Sequence, residues 1–294
     1  MWPRANPVLG VSPVANGMHL CAYAHKLKQQ TLLFLGRAAQ AFHGKPPPFP
    51  WLFSVPGIGM MRPLMSQKKT HEIACPLCGR EQEVELWDSV DVGEDPELRD
   101  RLLSGLINRV ECAGCKKWFR IDKPLVYHDR EQDIFIHLEP LAGGRTLKQA
   151  EKGFQEVLKE LENLMPEDVA PLEIHLVVEW SELIERIFLL EEGLDARLVE
   201  HIKYMMFQQN PDKIPAEKKG LLFDAQDSTD DQLCFVVQDR ATKKLEAVLN
   251  FARADYEALV NVFDSDDQMA LLEEQFPGPY LNGRLRYLRD MAEQ

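Results

Sequence analysis

The sequence predicts an α+β fold in two parts, and three observations carry that reading. Two C-x-x-C pairs, CPLCG at 75–79 and CAGCK at 112–116, sit in stretches that alternate polar and apolar as strands do. A capped helical pattern lies between the pairs, and helical and strand patterns intermix after residue 146. Together they predict a zinc-ribbon-like, β-rich domain with an inserted helix over 66–145, followed by an acidic α+β domain over 146–294.

Residues 1–65 differ from the rest. They contain no Asp or Glu, nine of the 19 prolines and five of the ten methionines. They lack the Arg and Ser content of a transit peptide and the early apolar core of a secretory signal. MSQKKTHEIACPLCG at 65–79 reads as the natural beginning of a bacterial protein, with Met65 (or Met60 or Met61) as the start. The preceding stretch is expected to be a largely disordered extension.

The chain of 294 residues carries a net charge of −13, of which residues 146–294 supply −15 and residues 1–65 supply +6. That balance disfavours tight, non-specific binding to nucleic acid or to anionic membranes. No run of 18–20 apolar residues exists for a spanning helix. Six cysteines, four of them paired, suit metal ligation in a reducing, cytoplasmic compartment better than a secreted disulfide framework.

Each C-x-x-C pair makes a tight turn that aims two sulfurs at one ion, so Cys75, Cys78, Cys112 and Cys115 are the expected ligands of one structural zinc. Pro76 presets φ in the first turn, and Gly79 permits the positive φ that follows the second cysteine. Lys116 stands where the second turn would want glycine. Lys116, Lys117 and Arg120 can offset the negative charge of a zinc tetrathiolate. The 33 residues between the pairs exceed a compact ribbon's spacing. The excess falls to a strand, EVELWDSVDV, and a helix in DPELRDRLLSGLI, with Asp95 as N-cap and Pro96 at its first position. RVECAGCKKWFRI then returns as a hairpin.

A redox dithiol is the rival reading. It needs only one pair, and its motif opens a helix that lowers the thiol pKa. Here REQEVELW follows the first pair in strand fashion, which favours the metal. Four protein ligands leave no position for an activated water, so catalysis at this zinc is not expected. CKKWFR interleaves basic and aromatic residues, and Lys116, Lys117, Trp118 and Arg120 are the candidates for a nucleic-acid or partner contact. The competing reading packs Trp118 and Phe119 beneath the turn, and the acidic balance favours it.

IACPLCGREQEVELWDSVDV at 73–92 and NRVECAGCKKWFRIDKPLVYHD at 108–129 resemble the bacterial and archaeal CpXC family, named for paired C-P-x-C-type motifs. The resemblance continues through ELIERIFLLEEGLDARLVEHIKY and spans roughly 71–205. CAGC lacks the proline of the family name, which is not a ligand. The resemblance implies a metal-binding cysteine domain in a cytoplasmic prokaryotic protein and no particular activity.

The second half reads as follows. RIDKPLVYHD and DIFIHLEP are a strand pair, and LAGGR is a hinge. Thr146 and Gln149 form a capping box for TLKQAEKGFQEVLKELENLM, which Pro166 ends. LEIHLVV is a strand; SELIERIFLLEE starts at a Ser181 N-cap and stops at Gly193. Asp195 caps a further helix whose Leu198, Val199, Ile202, Met205 and Met206 form one apolar, core-facing side. GLLFDAQ, QLCFVVQD and KLEAVLNF are strands, the last two a hairpin around RATK. Helices close the chain on either side of FPGPY.

No G-x-S-x-G, phosphate-binding glycine loop or H-E-x-x-H is present. His128, His137, His175 and His201 are scattered and read as structural or exposed. DAQDSTDD at 224–231 lacks the glycine and terminal glutamate of a calcium loop. Glu185, Glu191, Glu192 and Glu200 are expected on solvated helix faces. The reading that follows is a non-enzymatic interaction or regulatory module meeting a protein partner or a second copy. The alternatives are a nucleic-acid-binding ribbon using the CKKWFR edge, and an enzyme with an unrecognised site between the domains.

Overall fold

The structure is a computed structural model that describes residues 11–13, 66–141, 144–164 and 174–293. Apart from a three-residue strand, β1 (Val11–Pro13), the expectation for residues 1–65 lies outside the described residues. Helices and strands mix throughout the described chain, which makes it α+β, with cysteine turns compatible with a zinc-ribbon-like domain. The chain divides into two units. Of the described residues, one takes in 66–121 and 128–130; the other takes in 11–13, 122–127, 131–141, 144–164 and 174–293.

In the cysteine unit, alternation around the first pair makes a long antiparallel hairpin of β2 (Gln67–Ala74) and β3 (Glu81–Asp91). It is in register from Ala74↔Glu81 to Lys68↔Trp87. Helix α1 (Glu97–Leu103) follows. Its N-cap is Pro96, one residue beyond the expected Asp95: the Asp95 carbonyl receives the Leu98 N–H at 3.0 Å, and its side chain makes no cap. The helix ends in a Schellman motif. Gly105, at φ +67°, donates to the Leu102 carbonyl at 2.9 Å, and Leu106 donates to the Arg101 carbonyl at 2.8 Å. Leu98, Leu102 and Ile107 are fully buried, so the insertion contributes core as well as length. Asn108, itself at φ +55°, fastens the return of the chain. Its amide group accepts from the Trp87 N–H at 2.7 Å and donates to the Trp87 carbonyl at 3.0 Å. Strands β4 (Arg109–Glu111) and β5 (Trp118–Arg120) then pair antiparallel around the second cysteine turn.

The chain next forms β6 (Leu125–Asp129), whose last residues belong to the cysteine unit. There Asp91, almost fully buried, binds Arg130 at 2.8 Å and His128 at 3.3 Å.

In the other unit, β7 (Ile134–Leu138) and β8 (Ile174–Val177) pair in parallel, in register from Phe135↔Ile174 to Leu138↔Val177. A parallel pair needs a crossover, and α2 (Leu147–Leu164) lies between them in sequence. Its start is the expected capping box: Gln149 Oε1 accepts from the Thr146 N–H at 2.9 Å, and Thr146 Oγ1 accepts from the Gln149 N–H at 3.3 Å. Helix α3 (Trp180–Glu191) begins earlier than its sequence suggests. The N-cap is Glu179, not Ser181, because Glu182 turns back and accepts from the Val178 and Glu179 N–H groups at 2.9 and 3.1 Å. The stop at Gly193 is as read. Gly193, at φ +68°, and the buried Leu194 close a second Schellman motif on Leu190 and Leu189.

Helix α4 (Ala196–Gln209) is capped by Asp195, whose carboxylate accepts from the Leu198 N–H at 2.8 Å. Leu198, Val199, Ile202 and Met206 are buried, and Met205 packs against the same core, as their spacing indicates. The core continues onto an antiparallel sheet ordered β1, β11 (Leu245–Ala252), β10 (Gln232–Asp239), β9 (Lys219–Asp224). Six consecutive buried residues on β10 show that both of its faces are covered. Helices α5 (Arg253–Phe263), α6 (Asp266–Gln275) and α7 (Gly283–Ala292) complete the unit.

The expectation that Glu185 and Glu200 lie on solvated faces is overturned. Both are buried, as are Arg186 and Lys203. Lys203 Nζ lies 2.6 Å from Glu185 and 2.8 Å from Glu200, which compensates charges that burial alone would penalise heavily. Burial pushes the Glu185 carboxyl upward, and the neighbouring ammonium opposes the shift.

A candidate metal centre of four cysteines

The first cysteine turn joins β2 to β3 and the second joins β4 to β5. Their backbones repeat one hydrogen-bond pattern. Gly79 donates to the Cys75 carbonyl at 2.8 Å and Cys75 to the Arg80 carbonyl at 2.9 Å; Lys116 donates to Cys112 and Cys112 to Lys117, each at 3.0 Å. The pattern requires a positive φ after the second cysteine, +73° at Gly79 and +59° at Lys116. Lysine therefore occupies the left-handed conformation that costs a side-chain-bearing residue about 1–2 kcal/mol.

Each turn also points amide N–H groups at its first sulfur. Leu77 reaches Cys75 Sγ at 3.4 Å, and Gly114 and Cys115 reach Cys112 Sγ at 3.3 and 3.4 Å. These donors favour thiolate. The Cys115 N–H is foremost in bringing the Cys112 thiol down to about 6. At Cys78 a donor from Arg80 pulls the same way, but hydrogen bonding with Cys112 and desolvation outweigh it and the thiol rises to about 11. Opposite shifts in neighbouring thiols are what four sulfurs competing for few protons produce.

All four Sγ atoms lie within 4.8 Å of one another and could hold a metal ion. Two contacts run across the turns: Cys78 to Cys112 at 3.5 Å and Cys75 to Cys115 at 3.9 Å. A disulfide would need about 2.05 Å, so these are free thiols. Cys75 and Cys112 are buried, Cys115 is half-buried, and Cys78 is exposed.

Two residues outside the motifs hold the turns together. Gln82 Oε1 accepts from the Ala113 N–H at 2.8 Å while its Nε2 donates to the Glu111 carbonyl at 3.2 Å, bracketing Cys112. Arg80 crosses the second turn at Gly114, where a Cβ would come within 2.7 Å of its Cδ. The only cue in the sequence was their position directly after the first pair.

Lys116, Lys117, Trp118 and Arg120 all lie on the exposed side of the second turn and of β5. Trp118 does not pack beneath the turn: it is 55% exposed, and the Arg109 guanidinium sits 5.4 Å from its ring centroid. Phe119, paired with Val110, is half-buried. The scattered histidines make internal contacts: His128 with Asp91, His137 with Glu139, His175 with Arg186, and His201 with Gln275. Asp224 Oδ1 accepts from the Gln226 N–H at 3.0 Å, within its own loop.

No helix among the described residues is long and apolar enough to cross a membrane. No curated protein and no solved structure matches the chain. The model of one family, described as CpXC protein, matches residues 73–203 and so takes in both cysteine turns and most of α4. The paired turns and the four-sulfur cluster both lie inside that span, so residues 73–203 form a CpXC domain.

Proposed function

We propose that this chain is a zinc-stabilised, non-enzymatic interaction or regulatory module of a reducing, cytoplasmic compartment. The observation that carries the reading is the four-sulfur cluster. Zn–S bonds of about 2.3 Å in a tetrahedron require S···S edges of about 3.8 Å. The cross-turn separations of 3.5 and 3.9 Å bracket that value. Cys75, Cys78, Cys112 and Cys115 would hold the ion, which supplies folding free energy to two short turns that bury little of their own surface. Four thiolates fill a tetrahedral ion, which speaks against a metal-bound nucleophile there. The acidic residues 146–294 are the surface offered to a protein partner or a second copy.

Metal analysis of the purified chain should give about one zinc per chain. Cys75→Ser or Cys112→Ser should lower both zinc content and stability. Metal-free protein that is fully folded, and unchanged by added zinc, would defeat the reading.

A second reading follows from the exposure of Trp118. A 55% exposed indole, with Arg109 over its ring and Lys116, Lys117 and Arg120 beside it in the chain, suits base stacking with phosphate contacts. Binding to single-stranded nucleic acid should then weaken steeply with salt and on replacing Lys116 and Lys117. No binding at low salt removes it.

A further inference from the structure

The four sulfurs are not equivalent. Cys75 is 2% exposed and Cys112 fully buried, whereas Cys78 stands on the surface. The sulfur of Cys112, in the other turn, lies 3.5 Å from it. A small solute therefore meets Cys78 first, and the sulfur poised to answer belongs to the opposite turn. The exposed charges flanking the two turns are of both signs, Arg80, Lys116 and Lys117 with Glu81 and Glu111, so a small neutral solute such as hydrogen peroxide meets no net repulsion.

We propose that the cluster is a peroxide-responsive switch in which Cys78 is the attacked sulfur and Cys112 the resolving one, giving a Cys78–Cys112 disulfide across the two turns. In the first step the Cys78 sulfur, which would be held as a thiolate when it ligates the metal, attacks one oxygen of hydrogen peroxide. An S–O bond forms, the O–O bond breaks, and hydroxide leaves, so Cys78 becomes a sulfenic acid. In the second step the Cys112 thiolate attacks the Cys78 sulfur. The S–S bond forms, the S–O bond breaks, and a second hydroxide leaves. Two thiolates are oxidised by two electrons, and one peroxide is reduced to two hydroxides. Motion of about 1.5 Å closes the sulfur separation to a disulfide length.

This differs from a dithiol oxidoreductase, whose disulfide forms within one C-x-x-C pair. Its consequence rests on the zinc reading above: a disulfide takes two of four ligands out of use, so oxidation would release the ion and loosen the tie between the turns. The disulfide pattern itself does not depend on which ion is held.

The test uses the wild-type full-length chain, as purified, with one equivalent of hydrogen peroxide, then alkylation and peptide mass spectrometry. A zinc-binding dye reads metal release in parallel. The expected result is a linked pair of peptides carrying Cys78 and Cys112, reversed by dithiothreitol. Zinc release should be at least tenfold faster than without peroxide. A first product linking Cys75 to Cys78, or Cys112 to Cys115, overturns the proposal, as does a cluster that resists peroxide while Cys234, buried in the other unit, is oxidised. A chain that contains no zinc yet forms the Cys78–Cys112 link retains the switch and defeats the zinc reading alone. A single variant, Cys78→Ala, should leave no sulfenic acid at the cluster detectable by dimedone labelling; labelling of Cys115 instead would also overturn the assignment.

Discussion

Gly283 lies directly against the backbone of Glu200. Its N–H donates to Glu200 Oε2 at 2.7 Å, and a Cβ at position 283 would meet the Glu200 carbonyl oxygen at 2.1 Å and the Tyr204 nitrogen at 2.8 Å. No side chain can yield there, since the obstructing atoms are the backbone of α4. The glycine thus sets how closely α7 approaches α4, and the approach is sealed by Phe207 and Tyr287, stacked at 6.1 Å.

Gly283→Ala is therefore expected to push α7 away from α4 and to cost about 2–3 kcal/mol, in the upper range for overpacking. Urea unfolding followed by circular dichroism measures it. Tyr287→Ala tests the same contact by the opposite route, through lost burial, and should cost a similar amount. If Gly283→Ala is neutral, the close crossing does not exist in solution.

Gln82→Ala removes the two hydrogen bonds that bracket Cys112. Residues that orient a ligand from outside a metal site are worth about 10–100-fold in affinity. The bonds are exposed to water, so the low end applies, and zinc affinity is expected to fall roughly tenfold. Competition with a chromophoric chelator reads this directly. Gln82→Glu separates the two bonds: a carboxylate still accepts from Ala113 but can no longer donate to Glu111, so an intermediate loss is expected.

Positions 79 and 116 are equivalent in the two turns but carry different residues, and they should respond in opposite directions. Gly79→Ala meets no neighbour within 4 Å, so its cost is backbone strain alone, about 1–2 kcal/mol. Lys116→Gly relieves the same strain at φ +59°, less the extra chain entropy of glycine, for a net gain of about 0.5–1 kcal/mol. Thermal unfolding of the zinc-loaded protein should shift downward for the first and upward for the second. Equal shifts would mean that the two turns do not share one geometry.

What the sequence displayed and what it concealed divide along physical lines. Ligand spacing, helix caps and glycine stops act within a few residues, so Cys75 to Cys115, Thr146, Gly193 and Asp195 were readable. Caps that depend on a returning side chain were not: Glu182 moves the start of α3 by closing on Val178 and Glu179, and a serine one residue inside the helix looks like the better cap. Gln82 alternates like any exposed strand residue, and only the opposite turn gives its amide a task. Glu185 and Glu200 were concealed most completely. A glutamate among leucines on a helix reads as the solvated face. What buries these two is Lys203 together with Phe223 and Gly283, and the last two stand 38 and 83 residues away from the groups they meet.

The same buried region makes stability depend on pH through His175. Burial is the main force holding its imidazolium pKa down to about 3, with the charges of Arg186 and Arg197 acting in the same direction. The ring is neutral in the fold, with Nδ1 facing Arg186 at 3.3 Å. In the unfolded chain it titrates near 6.5. Above that pH both states are neutral and nothing is lost. As pH falls below about 6.5 the unfolded chain takes up a proton that the folded chain refuses, so stability declines continuously toward the folded value near 3. The decline is expected to reach on the order of 2 kcal/mol by pH 4.5. His175→Gln keeps an acceptor for Arg186 but cannot titrate, so its unfolding free energy should fall less steeply between pH 6.5 and 4.5. Parallel slopes for the two proteins would show that His175 is hydrated, or already charged, in the fold.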